Sequence, residues 1–197
     1  LNHPSVLKFI GFSPVDFKGN PNPVIITDFL PKGSLDKIIK AARENPKSGI
    51  TNTQKLIISY GIASAMDYLH SHNNIHRDLK PANILMTEEL YPVIADFGLA
   101  KIIRDNDEDP NQSIFKDSQS GAKGTPVYMA PEIAQADFEG NNFNYNQPVD
   151  VYSFGIILYE LFSNSPPYPK FKTVNKLLMS VMEGERPDIG EEIPEQL

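Results

Sequence analysis

The stretch IHRDLKPANILM, residues 75–86, holds an arginine, an aspartate, a lysine and an asparagine in an apolar frame. Polarity alone marks many surface loops, and short side chains such as Asp78 and Asn83 often do no more than cap backbone groups. The spacing admits a second reading. Asp78 and Asn83 stand five apart with Lys80 between them. A carboxylate beside an ammonium and an amide can orient a hydroxyl, steady a phosphoryl group in transfer and help to bind a metal ion.

Working outward, ADFGLA follows at residues 95–100. Asp96 ends an apolar run, where a buried carboxylate is costly unless a cation meets it. Magnesium fits, because it takes hard oxygen ligands and accompanies phosphates. Gly98 would let the backbone turn sharply just after. Further on come GTPVYMAPE (124–132) and DVYSFG (150–155). Asp150 looks buried, although at a helix start it could serve only as a cap favoured by the helix dipole.

The chain has 197 residues, 40% of them hydrophobic, enough for one domain with a core or a large piece of a bigger one. A formal charge of −7 argues against non-specific nucleic-acid binding. No cysteine is present, so disulfides and thiolate zinc sites are excluded. No apolar run reaches membrane-spanning length, and no signal pattern opens the chain, so cytoplasm is the default compartment. Beginning at Leu1 without Met, the chain reads as the middle of something longer.

VLKFIGF (6–12) and PVIITDFL (23–30) read as short strands. GSLDKIIKAAREN (33–45) reads as a helix with Ser34 as N-cap. The longest helix is expected over 51–73, with Leu56, Tyr60, Ala63 and Asp67 at helical spacing in a mostly buried segment. NILM (83–86) and PVIADF (92–97) suit a small hairpin, and 101–125 reads as a mobile polar loop. An apolar helix is expected over 149–164 and an amphipathic one over 173–185. There are no repeats, and the class is α+β.

The order HRDLKPAN, DFG, a polar loop, APE and DVYSFG resembles the eukaryotic protein kinases along essentially the whole chain. Lys80 and Thr125 look like those of serine/threonine kinases. LPKGSL, DVYSFGIILYEL and EGERPDI look like the tyrosine-kinase-like group. The resemblance implies a kinase-like fold, mainly the helical large lobe plus two strands of the small lobe. It divides the chain into a small-lobe remnant (1–27), a hinge (28–33) and a large lobe (34–197) with an activation segment over 96–132. It also implies residue roles. Asp78 would be the catalytic base, Lys80 would stabilise the γ-phosphate, and Asn83 and Asp96 would hold magnesium, or manganese, on ATP. Thr27 would be the gatekeeper of the adenine pocket, although it could be an ordinary strand residue. Backbone groups of Asp28 and Leu30 would meet the adenine edge, and Leu85 would line the pocket floor. His76 would be structural, and Arg77 would grip a phosphorylated activation loop at Ser113, Ser118 or Ser120. Thr125 would stand at the site edge, and Asp150 would hold the HRD backbone from below.

The kinase pattern also includes a glycine-rich loop, a small-lobe lysine and its glutamate, and none of these is found in the 197 residues. Neither is the arginine that would pair with Glu132. The expectation is therefore a serine/threonine protein kinase domain acting on protein Ser/Thr hydroxyls, with these residues alone weak or inactive. The alternative is a truncated or pseudokinase-like binding module without catalysis, although Asp78, Asn83 and Asp96 are all retained.

Overall fold

A computed structural model describes residues 1–45, 49–96, 126–141, 146–190 and 193, together with the backbone pairing of 101–102. The elements run β1 (Phe9–Ser13), β2 (Val24–Thr27), α1 (Leu35–Glu44), α2 (Asn52–Ser71), β3 (Asn74–Ile75), β4 (Ile84–Met86), β5 (Pro92–Ile94), β6 (Lys101–Ile102), α3 (Pro131–Glu139), α4 (Pro148–Ser163) and α5 (Val174–Met182). Short 3-10 turns cover Pro81–Asn83 and Pro126–Tyr128. The fold is α+β, with the strands paired in twos: β1 with β2, β3 with β6, and β4 with β5, all antiparallel.

The β1–β2 hairpin stands apart from the main core, and Phe9, Phe12, Ile25 and Phe29 are exposed along it and just beyond. Its connecting loop is organised by Asp16. One carboxylate oxygen accepts from Lys18 N (2.8 Å) and Asn20 N (2.9 Å), the other from Asn20 Nδ2 (2.8 Å) and Asn22 Nδ2 (3.0 Å).

Helix α2 forms the spine of the molecule. Thr51 and Gln54 close a capping box at its start, each side chain bonding the other's backbone N–H, so two otherwise unmet donors are satisfied. Its buried face is Ile58, Ile62, Ala65, Met66 and Leu69. The stripe singled out in the sequence, Leu56, Tyr60, Ala63 and Asp67, is instead the exposed face, with Tyr60 76% accessible. Both stripes have helical period, and tertiary packing alone decides which one turns inward. Midway, Gly61 lets β5 approach closely. A Cβ there would stand 2.5 Å from Pro92 Cγ.

The core joins α1 (Leu35, Ile39), the inner face of α2, Leu79, β4, β5 and one side of α4 (Ile157, Leu161, Phe162). Smaller clusters unite α4 with α5 through Ile156, Leu177 and Val181, and β3 with α4 through Ile75 and Val149. Two features had no counterpart in the sequence reading: helix α3 and the two-residue β3–β6 pair.

Candidate active site

The β4–β5 hairpin is the platform of the site, and it is bonded on both sides. Leu7 N donates to Ile94 O and Ile94 N to Ser5 O, both at 2.8 Å, so the segment before β1 runs beside β5. On the other side Met86 N donates to Gly33 O (2.8 Å), and Leu85 faces Ser34. The 28–33 segment is thereby fixed against β4, with Leu85, half-buried, at the junction. Thr27 ends β2 and is exposed, and its hydroxyl donates to Asp28 O at 3.3 Å. Asp28 N donates to Lys8 O at 3.4 Å, and Leu30 is half-buried beyond it.

The loop between β3 and β4 brings Asp78, Lys80 and Asn83 together. Lys80 Nζ stands 2.7 Å from Asp78 Oδ2. Asn83 Nδ2 donates to Asp78 O (2.8 Å) and to Asp78 Oδ2 (3.0 Å), so the amide closes the loop across five residues. Asn83 does bond backbone, as a bland loop residue would, but the same nitrogen also grips the carboxylate. With the nitrogen turned to Asp78, Asn83 Oδ1 remains as a hard oxygen donor.

Asp96 stands two residues past the end of β5. The residue before it is held from two sides: Ala95 N donates to Asn83 O (2.8 Å), and Ala95 O is 3.0 Å from His76 Nε2. Asp96 therefore leaves the strand beside the loop that carries Asp78. Asp96 is an exposed residue, which corrects the burial argument made from the sequence. Asp96 has a left-handed backbone (φ 60°), as does Arg77 (φ 70°). Such conformations cost a non-glycine residue about 1–2 kcal/mol and concentrate where the surroundings enforce a local geometry.

Asp150 supplies that enforcement at Arg77. It lies in the first turn of α4 and is 1% exposed, yet it does not cap its own helix. Its Oδ2 accepts from His76 N and its Oδ1 from Arg77 N, both at 2.9 Å, and His70 Nε2 is 2.9 Å from Oδ2. His76 is buried, and its Nδ1 accepts from Asp78 N at 3.3 Å. A chain of contacts thus runs from α4 to the backbone of Asp78. His70 escaped the sequence reading. Its signal is a histidine in the last turn of a long helix, six residues before His76.

A second buried carboxylate was also missed. Glu160 of α4, 8% exposed, takes Arg43 Nη2 of α1 on Oε1 (2.8 Å) and the Tyr128 hydroxyl on Oε2 (2.5 Å). Burial, reinforced by the Glu160 charge, holds the Tyr128 phenol far above its usual range, so it remains a donor. Glu132 lies in the first turn of α3. Burial raises the neighbouring Tyr152 phenol, the Glu132 charge adds to this, and the bond to Tyr168 and the Arg186 charge oppose it. The expectations placed on Thr125, Ser113, Ser118, Ser120 and Gly98 lie outside the described residues.

For a divalent ion the oxygen donors of the right kind are Asn83 Oδ1 and the Asp96 carboxylate. Among the described residues no group of three or more His, Cys, Asp or Glu side chains could hold a metal unaided. Two hard oxygens fit magnesium, which keeps several waters and completes its shell with substrate phosphates.

The family model for protein tyrosine and serine/threonine kinases matches residues 1–197, and the chain belongs to that family. Among its relatives is a candidate serine/threonine-protein kinase/receptor of Acanthamoeba polyphaga mimivirus, 34% identical over 100% of this chain and 11% of its own length. The dual specificity protein kinase shkA of Dictyostelium discoideum is 31% identical over 99% of this chain and 34% of its own. An LRR receptor-like serine/threonine-protein kinase of Arabidopsis thaliana, EFR, is 36% identical over 85% of this chain and 16% of its own. The chain thus spans 11–34% of the length of these relatives. No helix among the described residues is long and apolar enough to cross a membrane.

Proposed function

We propose that the protein transfers the γ-phosphate of ATP to serine and threonine hydroxyls of protein substrates. The carrying observation is the junction of Asp78 with Lys80 Nζ (2.7 Å) and Asn83 Nδ2 (3.0 Å) beside the strand end that bears Asp96. Asp78 orients the acceptor hydroxyl and receives its proton. Lys80, already against that carboxylate, meets the charge on the phosphoryl group in transfer. Asn83 Oδ1 and Asp96 hold magnesium, or manganese in its place. The bound ion would neutralise the ATP phosphates. Leu85 and the 27–30 segment, held near it through Gly33 and Ser34, receive the adenine. Arg77 would take a phosphorylated serine of the activation segment, and Thr125 would belong to the peptide side.

Acceptor choice has a specific alternative. Two Dictyostelium relatives are named dual specificity kinases, 31% and 33% identical. A dual-specificity enzyme would also phosphorylate tyrosine, and a phosphoamino-acid analysis separates the two readings.

The test is phosphate transfer by the protein with Asp78→Asn as the control. The side chain keeps its size and loses its basicity, so the rate should fall by about 10²–10⁴. Transfer that survives Asp78→Asn unchanged would contradict the assignment. A polypeptide of these 197 residues alone, in which no GxGxxG sequence occurs, is expected to turn over slowly, because each missing phosphate-facing contact costs roughly 10²–10³ in rate.

A further inference from the structure

We propose that the tip of the β1–β2 hairpin is a docking knob, and that its Phe17 seats in an apolar groove between α3 and α5 of a second copy of the chain. The proposal does not depend on the kinase reading. Phe17 is 96% exposed, more than any other large hydrophobic side chain among the described residues. An aromatic ring on a loosely held loop would lose much of its binding energy to ordering. This loop is already ordered. The carboxylate of Asp16 binds the backbone and side chains of residues 18–22, Asp16 N donates to Asn20 O, and Gly19 N donates to Asp16 O, both at 3.0 Å. The ring is thus presented in a fixed place, and docking it costs little further entropy. Phe12 and Ile25, paired across the strands behind the tip, are exposed as well.

The groove has a volume of about 390 Å³, and its lining includes Phe138, Val174, Leu178, Met179 and Met182, with Asp137 among them. Phe138, Val174 and Met179 are exposed in it. Thioether side chains adapt their shape and contact aromatic rings favourably, so such a groove suits a phenyl ring. The charges agree. The chain carries a net −7, yet Lys8 to Thr27 holds two lysines against one aspartate. α3 holds Glu132, Asp137 and Glu139 and no lysine or arginine. Lys18, next to the knob, would face the acidic wall that includes Asp137. Two lysines are too few to hold a lipid surface, whereas a second copy supplies both the groove and the acids. Knob and groove are different surfaces, so the contact is heterologous and copies can add head to tail. A seated ring buries about 150–250 Å², and Phe12 and Ile25 against the rim add to it. The total stays below a standard interface of roughly 1,200 Å² or more, so the association is weak.

The test is sedimentation of the protein at roughly 10⁻⁴ M, where contacts of this size are populated. The wild type should sediment as more than a monomer. Phe17→Ser removes the knob and Met179→Lys blocks the groove, and each should weaken association about tenfold or more. Both side chains are exposed, so neither change should lower the melting temperature. Should Met179→Lys melt early, Val174→Lys blocks the same groove. An equimolar mixture of the knob variant and the groove variant should form dimers and nothing larger, since one keeps the groove and the other keeps the knob. A mixture that stays monomeric overturns the proposal, as does a wild type that is monomeric at this concentration. So does a groove variant that associates like the wild type, which would mean that hairpin meets hairpin instead.

Discussion

Asp150 holds two consecutive backbone N–H groups and a histidine, and its removal would leave all three without their acceptor in a buried site. Asp150→Ala should destabilise the protein by about 3 kcal/mol, since breaking buried charged contacts from one side is strongly unfavourable. The urea midpoint measures that. Activity should fall because Asp78 loses its support, while ATP affinity should stay near the wild-type value. A large loss of ATP binding would contradict this division. Sequence alone made Asp78, Lys80 and Asn83 legible because they lie within six residues and their chemistry is local. Asp150 was visible as a buried-looking acid, and the family resemblance pointed it at the HRD backbone, where His76 N and Arg77 N do donate to it; its contact with His70 was not legible, because the two stand 80 residues apart. Glu160 shows the same limit. A carboxylate in FGIILYELF marks a buried acid, yet only the fold brings up Arg43, 117 positions distant. The left-handed backbones of Arg77 and Asp96 were not legible either, because neither residue is a glycine.

Among the elements, α2 illustrates how far periodicity reaches. Its existence follows from the long apolar run, whereas the capping box of Thr51 and Gln54 was recognised only in the structure. Its buried face does not follow from the sequence either, because two apolar stripes compete and packing against β5 selects one. Gly61 marks the place of contact. Gly61→Ala should gain about 1 kcal/mol of helix propensity, but the new methyl meets the rigid Pro92 ring at 2.5 Å, and overpacking costs about 1–3 kcal/mol. A net loss of roughly 1 kcal/mol is expected in thermal or urea melting, and a gain would show that β5 can retreat. In the β1–β2 loop, hydrogen bonds from Asn20 and Asn22 hold Asp16 down to a pKa of about 2. A depressed folded-state value means that the contribution is fully present above the unfolded carboxylate range and is lost as pH falls toward 2. Carbon-13 titration of Asp16 should therefore show its midpoint well below that of an ordinary aspartate, and an ordinary midpoint near 4 would mean that the loop bonds do not persist in solution. α3 was not anticipated because PEIAQADFE is short and only weakly amphipathic, and two-residue strands such as β3 carry no readable period.

For the whole molecule, the apolar segments among the described residues gather into one large core and two satellites, and the α+β class was legible from the order of strand and helix periods and from the kinase resemblance. The exception is the β1–β2 hairpin, whose Phe9, Phe12, Ile25 and Phe29 remain exposed. Contiguous apolar side chains on an open strand pair favour association. The 197-residue chain in isolation should sediment as more than a monomer at high concentration, and Ile25→Lys should reverse this without lowering its melting temperature. A monomer at all concentrations would show that the hairpin folds over in solution. At the same scale stands the central claim, that the Asp78 loop and the end of β5 together receive a nucleotide with its metal ion. Calorimetric titration of the protein with ATP, with magnesium or with a chelator, for wild type and Asp96→Ala, addresses it directly. The account predicts magnesium-dependent binding that weakens roughly tenfold or more in Asp96→Ala. Binding of equal strength in the variant, or binding indifferent to magnesium, would contradict it.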